Sequence, residues 1–136
     1  MWLPKDADAI GKLILRLSVG GMMLLHGLHK MTHGVSGIMG LFASKGIPGF
    51  FAYFAYVGEV IAPILVLIGF YTRISALVIG GTIIVAILTA HAGDIFSLTR
   101  TGAWGIELQM FYVFGAIAIY LLGAGKYSMD VKKGRG

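Results

Sequence analysis

Four long apolar runs are the feature that most constrains how this 136-residue chain can fold. The runs cover approximately residues 10–28, 50–69, 73–91 and 103–123. Each comes close to the roughly 20 residues that a helix needs to cross the hydrocarbon core of a bilayer. The stretches "APILVLIGF" and "ALVIGGTIIVAIL" have no polar stripe of the kind that surface helices of a soluble bundle carry. The sequence therefore predicts an all-α polytopic membrane protein, a four-transmembrane-helix bundle in which residues 1–136 form a single domain.

Composition agrees with that class and narrows the possible chemistry. Hydrophobic residues make up 57% of the chain and charged residues 12%, which is about half the charged fraction of an average soluble domain. The chain contains no cysteine. Disulfide exchange, thiolate metal sites and thiol nucleophiles are therefore excluded within it.

The basic residues are distributed unevenly between the two sides that an even number of spans creates. The loops opposite the termini hold only Lys30, Lys45 and Arg100. By the positive-inside rule, both termini are predicted to be cytoplasmic in the cell membrane. The net charge of +5 then reflects topology and attraction to anionic lipid. Nucleic acid is not an expected partner, because the tail "KKGRG" has no interleaved aromatic residues. The basic residues on the side of the termini are Lys5, Lys12, Arg16, Arg73, Lys126, Lys132, Lys133 and Arg135.

The connection between the first two runs is long enough to contain an element of its own. Ile38, Leu41 and Phe42 have helical spacing, and the turn-forming sequence "KGIPG" follows them. This pattern predicts a short amphipathic or re-entrant helix that lies on the outer face of the membrane or dips into it. A loop packed on the bundle fits the same residues equally well.

The stretch "LLHGLHKMTH" ends the first apolar run with four titratable side chains. His26, His29, Lys30 and His33 are spaced i, i+3, i+4 and i+7, which places them on one face of a helix. His29 and His33 are expected to reach the outer surface, whereas His26 is expected to point into the bundle.

Each of the four runs carries one titratable residue in its apolar part: His26, Glu59, His91 and Glu107. A charged group near the bilayer centre costs about 2.5–3.5 kcal/mol on insertion scales, so such groups normally face protein or water. At a rise of about 1.5 Å per residue, all four fall in the outer half of the membrane. We therefore predict a polar site between the helices, with Asp94 available to orient His91.

Three uses of this site remain open. The side chains could be interhelical hydrogen-bonding groups that hold the bundle in register. They could ligate a divalent metal, since two imidazoles and two carboxylates suit zinc, iron or manganese. They could also bind a quinone headgroup, with an imidazole donating to a quinone oxygen and a carboxylate taking up the proton. The predicted catalytic residues, which are also the candidate metal ligands, are His26, Glu59, His91 and Glu107, and the predicted cofactor-binding residues are Lys30, Arg16, Trp104 and Tyr56.

Several longer motifs resemble the DoxX family of small bacterial and archaeal membrane proteins. They are "RLSVGGMMLLHGLHKM", "KGIPG", "YVGEVIAPILVLIGFYTR", "TAHAGD" and "GIELQMFYVFGAIAIYLLGAGKYSMD", and together they span nearly the whole chain. The resemblance implies a four-helix integral membrane protein. It also implies a link to respiratory or redox chemistry, because relatives include the small subunit of thiosulfate:quinone oxidoreductase and the family name comes from association with a quinol oxidase.

Two main functions follow from these patterns. The first is a quinone-linked redox subunit in the lipid bilayer, acting as a homo-oligomer or with a partner redox subunit that supplies electrons. The second is a non-catalytic membrane anchor or assembly subunit, in which the buried polar residues serve helix packing. A carrier for a small molecule or a proton is a third possibility.

Overall fold

A computed structural model describes residues 2–134, and within that range the chain is helical without a β-strand. The third helix is composite: a 3₁₀ turn at Gly49–Tyr53 and one α turn lead into a π-helical segment at Val57–Ile61, and an α-helix at Ala62–Ile68 completes it. The helices are α1 (Ala7–His33), α2 (Ser36–Ser44), α3 (Gly49–Ile68), α4 (Thr72–Ala90), α5 (Glu107–Leu122) and α6 (Met129–Lys132).

Helices α1, α3 and α4 are each long and apolar enough to cross a membrane, and the shorter α5 is also apolar. Large hydrophobic side chains remain exposed along them, among them Leu25, Ile74 and Phe111. An apolar surface of this extent is what lipid, rather than water, accommodates. The prediction of an all-helical membrane protein is therefore confirmed.

The predicted runs correspond to these helices, but two boundaries differ clearly. Helix α1 extends to His33, five residues beyond the predicted end of the first run, and the last long helix begins later than predicted. Helix α5 begins at Glu107 and not at residue 103. The preceding residues are held in a turn, because the Thr99 backbone N–H donates to the Ala103 carbonyl and Leu98 pairs with Trp104 as an isolated antiparallel bridge. The predicted short helix after the first run is present as α2. Arg135, one of the basic residues on the side of the termini, lies outside the described residues.

The core lies where α1, α3, α4 and α5 pack against one another. Val66, Ala76 and Ile79, from α3 and α4, are completely buried there. A smaller cluster under α2 contains Val35, Phe42 and Ala52. Helix α2 is thus packed on the first part of α3.

The π-helical segment of α3 has a local chemical cause. Pro63 has no backbone N–H, so it cannot make the α-helical hydrogen bond to the Glu59 carbonyl, and its ring also crowds that carbonyl. The chain widens by one residue per turn instead, and the Ala62 N–H bonds to the Val57 carbonyl five residues back. Single π turns inside α-helices are often found at functional sites, and this one carries Glu59.

Two glycines allow the neighbouring helices to approach this segment. A Cβ added at Gly27 of α1 would collide with the Glu59 carbonyl, and one added at Gly58 would collide with the Thr82 hydroxyl of α4. Small residues permit this kind of close contact between membrane helices. Gly20 also contacts α3, through Leu67 and the Pro63 carbonyl.

We expect Gly27→Ala to lower the free energy of unfolding by about 1–3 kcal/mol, because the added methyl group meets a backbone carbonyl that cannot rotate away. Denaturation of the detergent-solubilised protein measures the change. Gly21→Ala is the matched control: it lies on the same helix, and its Cβ would meet nothing within 4 Å. Equal effects of the two substitutions would contradict the close approach at Gly27.

Candidate functional site

The central feature of the site is an ion pair between α1 and the π-helical segment of α3. The Lys30 ammonium donates to both Glu59 carboxylate oxygens, with Nζ–Oε1 and Nζ–Oε2 distances of 2.6 and 2.5 Å. Glu59 is only 6% exposed, and Lys30 is half-buried. Because a buried carboxylate without a partner is strongly disfavoured, Lys30 stabilises the charge of Glu59. Lys30, predicted as a cofactor-binding residue, is therefore the direct partner of Glu59.

A cavity of about 780 Å³ lies beside this ion pair, and we call it the Glu59 cavity. Its walls come from α2, α3, α4 and the end of α1, and they are mainly apolar. Pockets for small organic ligands have volumes of roughly 300–1,000 Å³ and combine apolar walls with a few polar groups. Polar side chains that line the Glu59 cavity are Lys30, Glu59, Thr82, Thr89 and His91.

The polar groups of the cavity differ in how free they are to bind a ligand. The Thr82 and Thr89 hydroxyls donate to carbonyls of their own helix, at Val78 and Val85. His91 directly follows α4, and its Nδ1 lies 3.4 Å from an Asp94 carboxylate oxygen. A carboxylate beside Nδ1 favours the tautomer that leaves Nε2 as an acceptor.

The structure does not bring the four predicted site residues together. Glu59 and His91 line the same cavity. His26 was expected to point into the bundle but is exposed, and its ring packs edge-to-face on Tyr112 of α5 at 5.9 Å between ring centroids. Glu107 is exposed at the first residue of α5. Within residues 2–134, no three His, Asp or Glu side chains form a group that could hold a metal ion. The four residues predicted as metal ligands are therefore not grouped in the structure: Glu59 and His91 border the Glu59 cavity, whereas His26 and Glu107 do not line it.

Two further residues predicted to bind a cofactor have structural contacts instead. The Tyr56 hydroxyl donates to the Lys30 backbone carbonyl at 3.2 Å and so supports the end of α1. The Trp104 indole donates to the Ile95 carbonyl at 2.5 Å and closes the loop before α5. Neither side chain is part of the wall of the Glu59 cavity.

Arg16, the remaining predicted cofactor-binding residue, lies at the other end of the bundle. Its side chain is 1% exposed, and its guanidinium donates to four backbone carbonyls at distances of 2.8–3.1 Å. These carbonyls end α3 and belong to the segment after α5, where α-helices leave C=O groups unpaired. The acceptors are Val66, Leu67, Ala124 and Tyr127. Arg16 thus joins three parts of the chain and is remote from the Glu59 cavity.

Asp130 completes the cluster around Arg16 and was not anticipated from the sequence. Its carboxylate accepts hydrogen bonds from the backbone N–H groups of Tyr71 and Thr72, each at 2.8 Å, and so caps the start of α4. It also interacts electrostatically with the Arg16 guanidinium. Gly69 makes room for this cluster, since a Cβ there would collide with Ser128 and Arg16. The segment after α5 is therefore tied to the base of the bundle.

Comparison with known proteins places these residues in a family context. Residues 11–92, more than half of the chain, match the sequence model of the DoxX family. A similar curated protein is "Putative oxidoreductase CatD" of Bacillus subtilis (strain 168), which is 40% identical over 80 residues. The alignment covers 59% of this chain and 59% of that protein, so the chain spans less than two thirds of its relative's length. No solved structure matches the chain. On the match over residues 11–92, the chain belongs to the DoxX family.

Proposed function

We propose that this chain is a quinone-linked redox subunit and that the Glu59 cavity is its quinone site. The observation that carries the proposal is an ion pair between half-buried Lys30 and buried Glu59 that lines a mainly apolar cavity of about 780 Å³ in a membrane protein. The cavity has a hydrogen-bond donor at Lys30 and groups that can exchange protons at Glu59 and His91. A quinone ring uses groups of these two kinds when its oxygens are bound and protonated. All three residues lie in the segment that matches the DoxX family, and the name of the Bacillus relative describes an oxidoreductase.

The proposal includes a topology. Helices α1, α3, α4 and α5 cross the cell membrane, and both termini are cytoplasmic. Helix α5 has 16 residues and is about 24 Å long at 1.5 Å per residue, so local thinning of the bilayer or the flanking residues must accommodate it. Helix α2 lies at the outer interface, where its apolar side covers the Glu59 cavity.

The residues of the cavity have separate roles in this proposal. A bound quinone supplies the capacity to exchange electrons and protons at its ring oxygens. The Lys30 ammonium donates a hydrogen bond to one ring oxygen. The Glu59 carboxylate holds or releases a proton beside it, and the His91 imidazole exchanges protons near the outer end of α4. Electrons come from a partner redox subunit.

Glu59→Gln tests the proposal directly. We expect it to weaken binding of decylubiquinone or menadione by at least about tenfold, because the amide cannot accept a proton or pair with Lys30 in the same way. Binding to the purified protein is measured by calorimetry. Glu107→Gln makes the same chemical change at an exposed position outside the cavity, and it should leave the affinity within about twofold. If neither decylubiquinone nor menadione binds the unsubstituted protein, the proposed function is refuted.

The alternative is a non-catalytic membrane anchor or assembly subunit. The observation that favours it is that the buried charges are already satisfied: Lys30 and Glu59 pair with each other, and Arg16 binds four carbonyls. On this alternative Glu59→Gln lowers stability, and neither quinone binds the protein.

A further inference from the structure

The Glu59 cavity lies where α3 and α4 separate. The second part of α3, from the π-helical segment onward, packs against α4, whereas residues 49–56 pack mainly against α1 and α2. A π turn and a proline are the features that deflect helices, and here they occur at Val57–Ile61 and Pro63. The two helices therefore form a wedge, and the cavity occupies its open end.

The opening of the wedge is apolar and faces outward from the bundle. Phe54 of α3 is 59% exposed and Val85 of α4 is 49% exposed, and both line the cavity. Gly81, one turn before Val85 in α4, is exposed and also lines the cavity, and it contributes no side chain there. In a bilayer, exposed apolar residues along two long apolar helices face lipid.

The end of the cavity nearest the outer interface is covered by apolar residues. Ile38, Leu41 and Phe42 of α2 line the cavity from that side, and Phe42 is buried. The polar groups at this end of the cavity are Lys30 and His91, which are partly exposed, whereas the lateral opening between α3 and α4 is apolar and leads from the bilayer. A ligand that fits both features must dissolve in lipid.

The cavity is also longer than a quinone ring. Along α4 it extends from Val78 to His91, a distance of about 20 Å at 1.5 Å per residue. Its charged groups, Lys30 and Glu59, lie on one wall. Apart from Thr82, Thr89 and His91, the rest of the space is lined by small and apolar side chains, such as Ala55 and Ala86.

We infer that the Glu59 cavity is a lateral portal between α3 and α4, and that its ligand is an amphiphile whose polar head lies at Lys30 and Glu59 while its apolar tail passes Gly81 into the bilayer. This inference rests on the proposed function for the identity of the head as a quinone. The portal itself depends only on the wedge, its exposed apolar rim and the cover by α2.

Gly81→Leu tests the portal. A Cβ at Gly81 meets nothing within 4 Å, so the leucine should fit without disturbing the fold and should fill the exit. We expect the affinity for decylubiquinone to fall by at least about tenfold, while the affinity for its tail-less parent quinone stays within about twofold. Gly21→Leu is the control, because Gly21 is equally open but lies outside the cavity. It should change neither affinity.

The other outcomes separate the two proposals. If neither quinone binds the unsubstituted protein, the proposed function fails, and the portal fails with it as a quinone route. If both quinones bind and Gly81→Leu does not change the affinity for decylubiquinone, the portal is wrong but the proposed quinone site is retained. If Gly81→Leu abolishes binding of both quinones while Gly21→Leu binds both normally, the portal is also overturned, because residue 81 would then border the polar head of the ligand.

Discussion

Replacing Asp130 by alanine is expected to lower the free energy of unfolding by about 3–5 kcal/mol. Two effects combine at this position. The substitution leaves the Tyr71 and Thr72 backbone N–H groups without their acceptor at the start of α4, and hydrogen bonds to a charged group contribute about 1.5–3 kcal/mol each. It also removes the carboxylate that attracts the buried Arg16 guanidinium.

Chemical denaturation of the detergent-solubilised protein, followed by circular dichroism, measures this loss. Asp8→Ala is the matched control, because Asp8 is an exposed carboxylate in a surface pair with Lys12, at 2.8 Å. Such a pair contributes about 0.2–1 kcal/mol. If Asp130→Ala were as stable as Asp8→Ala, Asp130 would not be the residue that ties the C-terminal segment to the base of α4.

The sequence specified the helices well because length and hydrophobicity determine them locally. Helices α1, α3 and α4 need no tertiary information beyond a continuous apolar run. The start of α5 was placed too early, because the turn at residues 99–102 and the pairing of Leu98 with Trp104 depend on contacts that composition does not show. The π-helical segment did have a signal, since Pro63 follows Glu59 by four residues.

The candidate site could be predicted only in part, because depth along a helix does not fix direction around it. Glu59 and His91, two of the four predicted site residues, line one cavity. His26 and Glu107 were placed at a similar depth, yet His26 packs on Tyr112 and Glu107 is exposed. The pairing of Lys30 with Glu59 required a long side chain to reach between helices, and no spacing rule indicates it.

The cluster around Arg16 shows the same limit at the other end of the bundle. An arginine near the end of a span predicts contact with lipid phosphate as readily as contact with protein. Here Arg16 instead joins chain segments more than 100 residues apart in sequence. Asp130 lies in a short polar stretch after the last apolar run, and nothing in that stretch indicates that it caps α4.

The second large effect is expected at the Lys30–Glu59 ion pair. Lys30→Met leaves the Glu59 carboxylate buried without its partner and should lower the free energy of unfolding by about 3–5 kcal/mol. Glu59→Gln leaves Lys30 without its acceptor, but Lys30 is half-buried and can turn toward water or lipid headgroups. We therefore expect a smaller loss from Glu59→Gln.

Combining Lys30→Met with Glu59→Gln is expected to recover most of the lost stability, because neither unpaired charge remains. Denaturation of the four proteins gives the coupling energy between the two residues. The surface pair of Asp8 and Lys12, analysed in the same way, should show a coupling of only about 0.2–1 kcal/mol. A similar small coupling at Lys30 and Glu59 would show that their charges do not stabilise each other.

The same double variant separates the two functions considered for this chain. A pair that only holds α1 against α3 can be replaced by an uncharged pair of similar size without further consequence. A pair that binds a ligand cannot be replaced in this way, because methionine donates no hydrogen bond and glutamine accepts no proton. We therefore expect the Lys30→Met/Glu59→Gln protein to be nearly as stable as the original and yet to bind decylubiquinone at least about tenfold more weakly. Stability and binding that recover together would assign Lys30 and Glu59 to helix packing and the chain to the anchor class.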